Sequence, residues 1–65
     1  MPNEFKAFVA SLAYGEEPIH MTVADAEYTL NEWKKEGSIE PPEGFNADIF
    51  ADLWNEWVDY KQEAV

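Results

Sequence analysis

NADIFADLWNEWVDYKQEA, residues 46–64, decides the fold. Ile49, Phe50, Leu53, Trp54, Trp57, Tyr60 and Ala64 recur at the three- and four-residue intervals of one helix face. Asn46 is a suitable cap, and Asp48 lies in the first turn, where an acid meets the positive end of the helix dipole. The acids of the same stretch keep to the other side. Asp48, Asp52, Glu56, Asp59 and Glu63 are spaced 4, 4, 3 and 4, within an arc of roughly 80° and over ~22 Å of helix. Lys61 falls outside that arc and relieves none of them. Like charges at i,i+4 cost a helix about 0.2–0.5 kcal/mol per pair, so a row of them opposes the helix that carries it.

Working back from this helix, Ser38–Phe45 holds Pro41, Pro42 and Gly44 and reads as an extended connection, with Ile39 and Phe45 pinning it to the core. Before it, Val23, Ala26, Leu30 and Trp33 mark a second helix face. Thr22 and Asp25 have the spacing of a capping box. Lys34 and Lys35 suit the last turn, and Gly37 suits the stop. Gly15–Met21, with Pro18, is a loop. Phe5, Phe8, Val9 and Leu12 place a first helix over about Asn3–Tyr14, capped by Asn3 and stopped by Gly15. The competing reading is a strand, because FKAFV is rich in β-formers, but the alternation fails at Ala7 and Val9–Ala10. The Asn-Glu-Trp at 31–33 and at 55–57 is read as coincidence between similar helices.

The expectation is therefore a single all-α domain over 1–65, a three-helix bundle or orthogonal array, with an α+β fold carrying an N-terminal strand as the alternative. Its expected core is Phe5, Phe8, Val9, Leu12, Val23, Ala26, Leu30, Trp33, Ile49, Phe50, Leu53 and Trp57. Chains of 65 residues often need a staple. With no cysteine, disulfides, thiolate metal sites and thiol catalysis are excluded. Ten aromatic residues supply the packing instead.

Fourteen acids against four lysines, with no arginine, give a net charge of −10. That charge opposes direct nucleic-acid binding and anionic lipid. No apolar run approaches a membrane span or a secretion signal, and the lack of cysteine fits a cytoplasmic setting. No cofactor or metal is expected: the glycines stand apart, no calcium-loop pattern occurs, and Glu16-Glu17 offers only weak cation attraction. His20 is the one histidine. Nothing in the spacing ties it to Ser11 or any other nucleophile, so no catalytic residues are assigned.

The reading is a non-enzymatic protein-binding module. A row of carboxylates can stand in for a phosphate backbone and occupy a basic groove built for DNA or RNA. The candidate contact residues are Asp48, Asp52, Glu56, Asp59 and Glu63, extended by Glu36, Glu40 and Glu43, with Trp54 as an aromatic anchor. In size, charge and aromatic content the chain resembles the small acidic DNA-mimic inhibitors that phages and mobile elements direct against restriction or CRISPR systems. That resemblance implies a basic nucleic-acid-binding protein as partner. The alternative is an adaptor, antitoxin or immunity-type protein docking through an apolar edge at Trp54 and Val58, an edge that could also be buried in a homodimer.

Overall fold

The computed structural model describes residues 3–63. Three helices form: α1 over Asn3–Ala13, α2 over Val23–Glu36 and α3 over Ala47–Glu63. The N-terminal stretch is helix, as the i, i+3, i+4, i+7 spacing requires, and no strand occurs among the described residues. Asn3 is the first residue of α1 rather than its cap. Ala64 lies outside the described residues.

The helix ends are fixed locally. The Thr22 Oγ1 accepts from the Asp25 N–H at 3.1 Å, and the Asp25 carboxylate accepts from the Thr22 N–H at 3.4 Å. Aspartate thus closes a capping box, a place more often taken by glutamate or glutamine. Gly37 ends α2 in the left-handed region, φ 76°. Its N–H donates to the Lys34 carbonyl, and the Ser38 N–H donates to that of Trp33, the paired bonds of a Schellman stop. At the head of α3 the Asn46 Oδ1 accepts from the Ile49 N–H at 3.0 Å.

α3 is the hub: α1 and α2 each pack against it, and their backbones do not approach each other. Near its N-terminus α3 meets Trp33 from the end of α2, through Phe50, and Phe45 bridges Phe50 to Phe5 and Phe8 of α1. Further along, Asn55 reaches Met21 just before α2. α2 is therefore antiparallel to α3, and α1 runs in the same sense as α3.

The core contains Phe5, Val9, Ala13, Ala26, Leu30, Phe50, Ala51, Leu53, Trp54 and Val58. Phe8, Leu12, Trp33, Ile49 and Trp57 are half-buried around it. Val23 departs from expectation and is 47% exposed. It opens the first turn of α2, and Met21, just before the cap, packs against the core instead, the position from which a hydrophobic staple acts. Tyr60, on the apolar face but outside the expected core, is 69% exposed. It sits at the margin of the apolar face of α3, roughly 80° from Phe50 on the helical wheel.

Candidate functional site: the acidic face of helix three

All five acids of the stripe, Asp48, Asp52, Glu56, Asp59 and Glu63, are exposed. The opposite side of the same helix is held by Phe50, Leu53, Trp54 and Val58, all buried, so the stripe is turned outward by the packing of α3 itself. Asp59 has a cationic partner in reach: its carboxylate lies 2.7 Å from the His20 Nε2, an ion pair when the imidazole is protonated. No lysine forms a salt bridge with the stripe among the described residues.

Glu36 closes α2, and Glu40 and Glu43 lie in the connection to α3; all three are exposed. The connection leads directly into the Asn46 cap of α3. Glu36 follows Lys34 and Lys35 in the last turn of α2, and its carboxylate accepts from the Ser38 hydroxyl at 3.4 Å.

Trp54 belongs to the interior, which corrects its assignment as a surface anchor. It is 6% exposed, and Val58 is fully buried. The Trp54 indole stands edge-on to Phe50 with centroids 5.8 Å apart, and its N–H donates to the Ile19 carbonyl at 2.8 Å. The physical cause is the loop at 14–22, which lies over this flank of α3. Asn55 fastens the same loop from both sides: its Oδ1 accepts from the Met21 N–H at 2.8 Å, and its Nδ2 donates to the Met21 carbonyl at 2.9 Å. The apolar edge proposed for docking, or for a dimer that buries Trp54, is therefore already covered by the chain. Asn55 was legible only as part of a repeated tripeptide. Its signal was a polar residue placed between Ala51 and Val58 on the flank that turns toward α2. Asn31, its counterpart in the repeat, is exposed.

Ser11 and His20 do not form a catalytic pair. The Ser11 hydroxyl donates to the Phe8 carbonyl at 3.0 Å, and His20 is engaged with Asp59. No three His, Asp or Glu side chains converge to hold a metal ion among the described residues. No helix there is long and apolar enough to cross a membrane. The chain shows no significant match to a protein-family model, a curated protein or a solved structure.

Proposed function

We propose that this protein is a non-catalytic binding module whose α3 acidic face occupies the basic nucleic-acid-binding site of a partner protein, as a DNA-mimic inhibitor does. The observation that carries this reading is the exposure of all five stripe acids on one continuous helix face, with His20 the one cationic contact among the described residues. Consecutive acids stand roughly 4.5–6 Å apart along the helix axis. That is a spacing a lysine- or arginine-lined groove can follow with paired contacts. The net charge of −10 adds long-range attraction to a basic partner. An apolar-edge adaptor finds no support at Trp54 and Val58, which are interior.

The test is a charge reversal that spares the fold. Asp52→Lys, Glu56→Lys and Glu63→Lys together leave the first-turn Asp48 and the His20–Asp59 contact in place. Partner binding should be lost, and binding of the unmodified protein should weaken steeply as salt rises. Unchanged affinity in the folded triple variant would overturn the reading.

A further inference from the structure

The side of α3 that turns toward α1 is left partly unfilled. An open cleft of about 220 Å³ lies there, walled by Lys6, Val9 and Ala10 of α1 and by Leu53, Glu56, Trp57 and Tyr60 of α3. A second cleft shares Ala10 and Trp57 with it and continues to Ala13 and Tyr14. The two clefts adjoin at Ala10 and Trp57, and their α1 residues run from Lys6 to Ala13, about 10 Å or two helical turns.

The cause is a mismatch of side-chain size across the helix pair. α1 offers alanines at 10 and 13, too short to cover the aromatic residues opposite. Trp57 consequently remains half-buried and Tyr60 69% exposed. A groove with an aliphatic floor and an aromatic wall is the receptor half of helix-in-groove recognition.

Charge selects the occupant. Glu56 belongs both to the groove and to the acidic stripe, with Asp52 one turn before it and Glu63 two turns after. The α3 rim is thus anionic at the first cleft, whereas Lys61 lines the second cleft and the rim along α1 carries Lys6. A second copy of this chain would bring another charge of −10 to that rim and be repelled. The Lys61 Nζ already stands 5.9 Å from the Trp57 ring centroid, which keeps the cationic side of an occupant toward the Glu56 end of the groove.

We propose that the α1–α3 groove docks a basic amphipathic helix of the partner protein. Its apolar side is seated between Ala10 and Tyr60, and its lysines or arginines lie along Glu56, Asp52 and Glu63. This inference rests on the acidic face being the electrostatic contact, and it adds the apolar anchor and the partner's secondary structure. Lys6 on the opposite rim repels a cationic flank, so the occupant's charged side is oriented toward α3.

The experiment uses the isotope-labelled full chain and two synthetic probes. One is a leucine–lysine amphipathic helix about four turns long; the other is an oligolysine of equal charge. The expected result is that the amphipathic peptide moves the signals of Ala10, Leu53 and the Trp57 indole, whereas oligolysine moves only the stripe. Plugging the groove with Ala10→Phe, or removing its wall with Tyr60→Ala, should weaken the amphipathic peptide about tenfold or more and leave oligolysine unchanged. Both substituted residues are exposed, so the core is spared. If both probes move only the stripe, the groove inference is overturned and the acidic face stands. If neither binds at low salt, both are overturned. If groove signals move and Asp52→Lys/Glu63→Lys leaves the peptide affinity unchanged, the groove is upheld and the acidic-face reading fails.

Discussion

On one side of α3, Phe50, Leu53, Trp54 and Val58 are packed against two other helices and a loop. On the other, Asp48, Asp52, Glu56, Asp59 and Glu63 stand in water. The first set holds the helix in place. The second set makes the helix less stable than its neutral equivalent, because each i,i+4 pair of like charges is repulsive. α3 exists because its aromatic side outweighs its acidic side. The burial of one large aromatic residue is worth several times the repulsion of one acid pair. A solvated face that keeps an acidic protein soluble would also place acids on this side; the proposed binding role adds a reason for keeping them in a row at the cost of their mutual repulsion.

The contrast can be attacked from both sides. The largest effect belongs to Phe50→Ala, which empties a fully buried site. A loss of about 3–5 kcal/mol is expected, enough to unfold much of a domain this small, and chemical denaturation would register it as a collapsed midpoint. Asn55→Ala comes next. It strips the Met21 N–H and carbonyl of their half-buried partner, for about 1–3 kcal/mol. Hydrogen exchange should show the 14–22 loop opening more readily, with the centre of α3 less affected.

On the acidic side the sign reverses. Asp52→Asn with Glu56→Gln removes like-charge pairs and should stabilise the protein by about 0.2–0.5 kcal/mol for each pair relieved. The gain should shrink as salt is added. Destabilisation by that double change would mean that these carboxylates make favourable contacts within the fold, which would break the contrast. Smallest is His20→Ala. Its contact with Asp59 is exposed on both sides, and its removal should cost about 0–1 kcal/mol.

The helices, their order and most of their ends could be read from the chain, because apolar periodicity and capping residues act within a few positions of one another. Thr22, Asp25, Gly37 and Asn46 each do locally what their spacing announces. The acidic face was legible for the same reason, since five residues on one helix need no partner to define their arc. Burial at the edges of the apolar face was not. Trp54 and Tyr60 both border that face, and which of them is covered depends on where a loop 35 residues before Trp54 comes to rest. The Ile19 carbonyl and the Met21 backbone settle the matter for Trp54. No periodicity in α3 encodes that long-range contact. The α1–α3 groove escaped the sequence for a related reason: it arises from alanines on one helix facing aromatic residues on another, and only the pairing of the two helices brings them together.

The central claim is that the acidic face competes for a site that nucleic acid would otherwise fill. The most direct test captures binding partners from bacterial lysate on the tagged protein and then challenges the complex with excess DNA or RNA. The account predicts a nucleic-acid-binding protein that is released by the competing strand and by high salt. A partner that stays bound through both challenges would contradict it, and would leave the acids of α3 as a solvated surface.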